Sequence, residues 1–115
     1  MANLFFRDEA GDPRARTGRE RRLLGRFLES DIQGSRTLCD EALAALDDLA
    51  AGRRRRWRMT GNAHTLTAFR HKSRIRPEFA RAADLVLPTA ELRLALLEWR
   101  LLLGKKAPRR RSPAR

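Results

Sequence analysis

Tyrosine is absent from this chain of 115 residues, cysteine occurs once and histidine twice. A single cysteine, Cys39, excludes an internal disulfide and fits a reducing compartment. A metal centre needs clustered Cys, His or carboxylate ligands. The two histidines, His64 and His71, stand seven positions apart on either side of an expected strand, so they belong at solvent-facing turns and on opposite faces. No metal site and no cofactor is expected. Long apolar runs are missing too. The longest, Leu94 to Leu103, is interrupted by Glu98 and Arg100 and falls well short of the roughly 18 residues that cross a bilayer. At the start, Met1-Ala2-Asn3-Leu4-Phe5-Phe6 meets Arg7-Asp8-Glu9 too soon for a signal-peptide core. These shortages lead to the expectation of a cytoplasmic protein with no membrane partner.

Lysine is scarce and acids are outnumbered. The 26 basic residues include only three lysines, Lys72, Lys105 and Lys106, and they face 14 acids, for a net charge of +12. A GC-rich genome substitutes arginine for lysine without functional meaning. It gives no reason for so few acids. The last twelve residues, 104–115, carry Lys105, Lys106, Arg109, Arg110, Arg111 and Arg115 with no acid, two prolines and a serine. Such a segment buries no apolar area and reads as a disordered basic tail. The remaining body, residues 1–103, still has 20 basic residues against 14 acidic ones. Apolar residues make up 42% of the chain, enough for one domain with a modest core.

Periodicity divides the body into elements. Asn3 to Asp8 has strand composition, Glu9-Ala10-Gly11-Asp12-Pro13 is a turn cluster, and Pro13 to Arg16 returns as the second strand of a β-hairpin. Thr17-Gly18-Arg19-Glu20 fits a capping box. Leu23, Leu24, Phe27, Leu28 and Ile32 then follow at helical spacing, predicting a helix from Gly18 to Asp31. A second helix is expected from Ser35 to Ala51, with Cys39, Ala42, Leu43, Leu46 and Leu49 on one stripe and Gly52 as its stop. Arg56-Trp57-Arg58-Met59-Thr60 alternates, placing Trp57 and Met59 on the core side and arginines on the other. Thr65 to Arg70 and the shorter Arg74-Ile75-Arg76, stopped by Pro77, complete a three-stranded antiparallel meander. Leu85, Val86 and Leu87 read as loop. A last helix runs from Pro88 to Leu103, with Leu92, Leu96, Trp99 and Leu103 on its buried side, widened by Leu94, Leu97 and Leu101. The fold class is therefore α+β, with helices covering one face of an antiparallel sheet.

This order of features resembles the YacL-like family of small uncharacterised bacterial proteins. The resemblance rests on Phe6-Arg7-Asp8, Gly18, Glu20, Gly25, Phe27 and Glu29, then Leu38, Asp40 and Glu41. It continues through Trp57, Gly61 and Leu66 to Glu91 and Trp99-Arg100, spanning residues 4–106 in matching order. YacL-like chains are acidic, whereas Arg74 to Arg81 is basic here and a basic tail is added. The resemblance implies a bacterial cytosolic setting and supplies no catalytic residues.

Enzymatic signatures are absent. There is no Gly-x-Ser-x-Gly, no Cys-His arrangement, no Walker spacing and no Gly-x-Gly-x-x-Gly. Asp47-Asp48, Glu29 and Asp31 read as solvated helix faces. Basic stretches carry the remaining signal. Arg53, Arg54, Arg55, Arg56 and Arg58 surround Trp57, and Arg70, Lys72, Arg74 and Arg76 follow on the neighbouring hairpin. Across an antiparallel meander, outward residues of adjacent strands become neighbours, so Arg56, Arg58, Arg70 and Arg74 are expected to form one patch. With Lys105, Lys106, Arg109, Arg110 and Arg111 of the tail, these are the candidate phosphate contacts. No helix-turn-helix, zinc finger or RNP-type sequence accompanies them. The expected function is therefore non-enzymatic. The chain would bind nucleic acid, or a nucleoprotein machine of the ribosome or RNA polymerase type, through backbone charge. The alternative is an interaction module that docks on an acidic protein surface without nucleic acid.

Overall fold

The computed structural model describes residues 3–105. The chain opens with a hairpin in which β1 (Leu4–Arg7) pairs antiparallel with β2 (Pro13–Arg16), Leu4 opposite Arg16 and Arg7 opposite Pro13. The Asp8 carboxylate closes the turn by accepting from the amides of Ala10 at 2.9 Å and Asp12 at 3.0 Å. Gly11 supplies the left-handed φ of 85° that the turn requires.

The first helical segment departs from the expected single helix with a capping box. It comprises a 3₁₀ turn at Arg19–Arg21, α1 (Arg22–Phe27) and a π-helical turn at Leu28–Ile32. Thr17 is buried, and its hydroxyl donates to the Arg21 carbonyl at 2.7 Å instead of accepting from an N-terminal amide. Glu20 is left in solvent. Close packing explains the change, because a Cβ on Gly25 would lie 2.6 Å from Thr17 Oγ1. The threonine therefore belongs to the interior contact with α1. The extra residue of the π turn shifts the helical phase, and it brings Asp31 inward, against the expectation of a solvated face.

The other two helices follow the sequence pattern closely. Ser35 caps α2 (Arg36–Ala50) by accepting from the Leu38 amide at 3.1 Å, and Gly52, with φ 74°, ends it. α3 (Thr89–Gly104) buries Leu92, Leu96, Trp99 and Leu103. The Trp99 indole donates to the Gln33 carbonyl at 2.9 Å and receives the edge of Phe5 at 5.6 Å between centroids. Leu94 and Leu101 do not widen this buried side; they are 56% and 68% exposed. Each lies two residues from a buried leucine, roughly 200° around the helix.

The main sheet has four antiparallel strands where three were expected. β3 (Trp57–Thr60), β4 (His64–Ala68), β5 (Lys72–Pro77) and β6 (Leu85–Pro88) lie side by side in that order. The additional strand comes from the supposed loop, with Leu87 opposite Ser73, Val86 opposite Arg74 and Leu85 opposite Ile75. Three apolar residues in a row conceal its period of two: Leu87 is buried and Val86 is exposed. Met59, Leu66, Ile75 and Leu85 form one cross-strand row facing the helices, and Trp57, Ala68, Ser73 and Leu87 form the next. Full burial of Leu66, Ile75 and Leu87 contributes about 1.5–3 kcal/mol each. Among the described residues no helix covers the opposite face, where Arg58, Thr60, Arg74, Arg76 and Val86 are exposed, and this face becomes the candidate site.

Candidate nucleic-acid interface

Strand register sets the composition of the open face. Arg58, Thr67, Arg74 and Val86 lie in one cross-strand row, Thr60, Thr65 and Arg76 in the next, and Lys72 stands opposite Pro88. Arg58, Lys72, Arg74 and Arg76 are all exposed. Together with Thr67, Phe69 and Val86 they line a shallow concavity of about 370 Å³. Two acids bound it. Glu78 accepts from the Thr65 hydroxyl at 2.5 Å, and Asp84 lies 3.7 Å from Arg74. Among the described residues, Arg58, Lys72 and Arg76 have no carboxylate within ion-pair distance. A cation left without a counter-ion in water remains available to an incoming phosphate.

Not every expected cation joins this face. Arg54, Arg55 and Arg56 are exposed in the connection between α2 and β3. Arg53 is held back toward α2, where its guanidinium meets the Asp48 carboxylate at 2.8 Å. β4 ends at Ala68, so Arg70 sits in the β4–β5 turn and not on the strand face. Lys105 is exposed just beyond α3, and its carbonyl accepts from Arg7 at 3.3 Å. Lys106, Arg109, Arg110 and Arg111 lie outside the described residues. The expected patch of Arg56, Arg58, Arg70 and Arg74 is thus replaced by Arg58, Lys72, Arg74 and Arg76, since both Arg56 and Arg70 lie beyond the strand ends.

A second basic surface crosses the hairpin and α1. Arg14, Arg16, Arg22 and Arg26 line a concavity of about 360 Å³ there. It is partly neutralised and already occupied. Glu29 accepts from the Ala15 amide at 2.7 Å and lies 3.5 Å from Arg14, and the Arg16 guanidinium covers the Phe6 ring at 5.6 Å. A larger concavity of about 730 Å³ lies between the 3₁₀ turn and α3. The Arg21–Glu91 pair crosses it with bonds of 2.5 and 3.0 Å. Their mutual hydrogen bond raises the Arg21 guanidinium and lowers the Glu91 carboxyl relative to their ordinary values. The one thiol, Cys39, is buried, donates to the Leu96 carbonyl at 3.3 Å and is pushed up by burial to about 11. A thiol in that state is not a nucleophile at neutral pH.

Sequence reasoning missed the pair His64 and Asp31. His64 is buried instead of solvent-exposed, because it begins β4 on the inward side and its ring meets Phe27 edge-on at 6.3 Å. Asp31 Oδ2 accepts from the His64 amide at 2.9 Å, while Oδ1 accepts from the Ala63 amide at 3.3 Å and contacts His64 Nδ1 at 3.1 Å. Asn62 adds a bond from its side-chain amide to the Ser30 carbonyl at 3.0 Å. The β3–β4 turn is thereby clamped to the end of the first helical segment. A side chain on Gly61 would overlap the Asp31 carboxylate. The one available sequence signal was that glycine, in a turn that needs a close neighbour.

Among the described residues no group of three or more His, Cys, Asp and Glu side chains is placed to hold a metal ion, and no helix is long and apolar enough to cross a membrane. No protein family, curated protein or solved structure matches the chain.

Proposed function

We propose that this protein is a non-enzymatic binding protein, of YacL-like kind and cytoplasmic setting, that docks on nucleic acid or a nucleoprotein machine through its open sheet face. One observation carries the reading: Arg58, Lys72, Arg74 and Arg76 share that face, and three of them have no carboxylate partner among the described residues. Four cations over three adjacent cross-strand rows suit a phosphate backbone, which is contacted by clustered charge without base-specific donors. The net charge of +12 would bring any polyanion toward the chain. The sheet rows give that attraction a surface. Support for a non-enzymatic role comes from the reactive groups themselves. Cys39, Thr17 and Asp31 are each committed to an internal partner.

The test is replacement of Arg58, Lys72, Arg74 and Arg76 by Ser in the full chain, with Arg19, Arg22 and Arg26 to Ser as the control for bulk charge. Binding of unrelated nucleic-acid sequences should weaken uniformly in the first variant, and the salt slope should flatten by about three. Stability should change by less than about 0.5 kcal/mol per exposed site. Equal weakening by the control would reduce the effect to net charge. Unchanged binding in both would leave an acidic protein surface as the partner.

A further inference from the structure

Aromatic residues sort unevenly over this molecule. Of the five phenylalanines and two tryptophans, Phe27 and Trp99 are fully buried, and Phe5 and Trp57 pack against the core. Phe6 lies beneath Arg16. Only two rings remain in water, Phe69 at 47% exposure and Phe79 at 87%. Both belong to segments bordering the open face.

Phe69 directly follows the last residue of β4 and lines the same concavity as Arg58 and Arg74. Its backbone is fixed from two directions. Its amide donates to the Lys72 carbonyl at 2.9 Å, and its carbonyl accepts from the Thr89 hydroxyl at 2.6 Å. Thr89 in turn shares a 2.8 Å bond with the buried Ser73 hydroxyl. A ring is thus presented to solvent from a fixed position just past β4, whose outward face carries Thr65 and Thr67. Phe79 lies in the seven-residue connection 78–84 between β5 and β6. Glu78 and Asp84, at the two ends of that connection, reach Thr65 and Arg74 on the open face.

We propose that the open face takes single-stranded nucleic acid, with Phe69 and Phe79 stacking on unpaired bases while Arg58, Lys72, Arg74 and Arg76 contact the phosphates. The inference rests on the polyanion reading above and narrows it to a ligand. Phosphate charge alone would not explain two solvated rings beside the cations. Bases in a duplex are stacked on one another and hidden from a flat surface, whereas a single strand offers a π-face at each nucleotide. Stacking on phenylalanine is tolerant of sequence, consistent with a face that carries threonines and arginines and no built donor set for one base.

Fluorescence anisotropy with the full chain separates the possibilities. The probes are labelled twelve-nucleotide single strands of RNA and of DNA, a duplex of the same length, and inorganic polyphosphate as a base-free polyanion. Single strands should bind about ten-fold more tightly than the duplex at physiological salt. Phe69→Ala combined with Phe79→Ala should remove about ten-fold or more of that affinity and leave duplex and polyphosphate binding unchanged. Phe69→Trp in the Phe79→Ala background should restore part of it, while Phe69→Leu, which keeps apolar area without a ring, should not. Both side chains are exposed, so folding survives, and circular dichroism checks this. If the alanine pair leaves single-strand affinity within two-fold, or if the duplex binds as tightly, stacking is wrong while the charge reading stands. If the four-cation variant also binds every probe like the wild type, both readings fall together. A preference between the RNA and DNA strands decides which nucleic acid is the ligand.

Discussion

On the helical layer, three arginines close onto carboxylates of a neighbouring element. Arg21 meets Glu91, Arg93 meets Asp47 at 2.8 Å, and Arg100 meets Asp40 at 2.7 Å. On the open sheet, Arg58, Lys72 and Arg76 meet none among the described residues. Both regions are rich in cations, and what separates them is the placement of the acids. Glu91, Asp47 and Asp40 each join two elements, either the 3₁₀ turn to α3 or α2 to α3. Those three acids are held at joints between elements, while Arg58, Lys72 and Arg76 on the sheet have none within ion-pair distance among the described residues. A net charge distributed this way becomes local. It concentrates on the sheet and, less completely, on the hairpin and α1, where Glu29 and Phe6 already engage Arg14 and Arg16.

Asp31 stands at the junction of the two regions, and its removal should have the largest effect. Asp31→Ala strips the acceptors from two backbone amides and from the buried His64 ring at once. Leaving such groups unsatisfied should cost about 3 kcal/mol, or roughly 15 °C in melting temperature for a domain of this size. Gly61→Ala should act in the same direction, since its new methyl overlaps the same carboxylate. Calorimetry of both variants checks the clamp. A loss below about 1 kcal/mol in each would show that the β3–β4 turn is held by the strand ladder alone.

That clamp also marks the boundary of what was legible in the sequence. The hairpin, α2, α3 and the inward side of β3 followed from turn chemistry and from periods of two and 3.6, because those signals are local. β6 was not legible, since Leu85-Val86-Leu87 shows its alternation only once Arg74 is paired with Val86. The failure at Thr17 and Asp31 has one origin. Both residues lie at the first helical segment, where Thr17 closes on Gly25 and a π turn at Leu28–Ile32 shifts the phase, and neither feature interrupts the hydrophobic period that predicts the helix. At the candidate site, the outward alternation of Arg58, Arg74 and Arg76 was readable, whereas the positions of Arg56 and Arg70 turned on where the strands end. Element ends are decided by hydrogen bonds such as Phe69 to Lys72 and Thr89 to His71, which no local pattern announces.

An intermediate effect is expected at the helical joint itself. Glu91→Gln removes a charged acceptor of Arg21, and the pair's partial exposure holds the loss to about 0.5–1 kcal/mol at neutral pH. The sign of its pH dependence follows from the lowered Glu91 carboxyl. A carboxyl that releases its proton more readily when folded stabilises the fold above the ordinary glutamate range. That contribution is lost as pH falls through the lower folded-state value. The wild type should therefore exceed the variant in stability at neutral pH and converge on it in acid. A constant gap between the two melting curves from neutral to acid pH would show that the pair acts through packing and not through charge.

The smallest effect tests the comparison from the sheet side. Among the described residues, Asp84 is the one carboxylate within ion-pair reach of an open-face arginine, at 3.7 Å from Arg74, whose side chain is 61% exposed. So long and wet a pair contributes almost nothing to stability, so Asp84→Asn should leave the melting temperature unchanged. Its effect belongs to binding. Removing one negative charge beside the four cations should tighten polyanion binding about two- to three-fold at low salt, and the gain should fade as added salt screens the face. The same neutralisation on the helical layer, Asp47→Asn, removes a charge of equal sign from α2 and frees Arg93. If the sheet face is the site, Asp84→Asn should tighten binding more than Asp47→Asn at every salt concentration below about 0.15 M, where the screening length is near 8 Å. Equal gains from the two variants would mean that the ligand senses only total charge, and the distinction between the two regions would then have no bearing on binding.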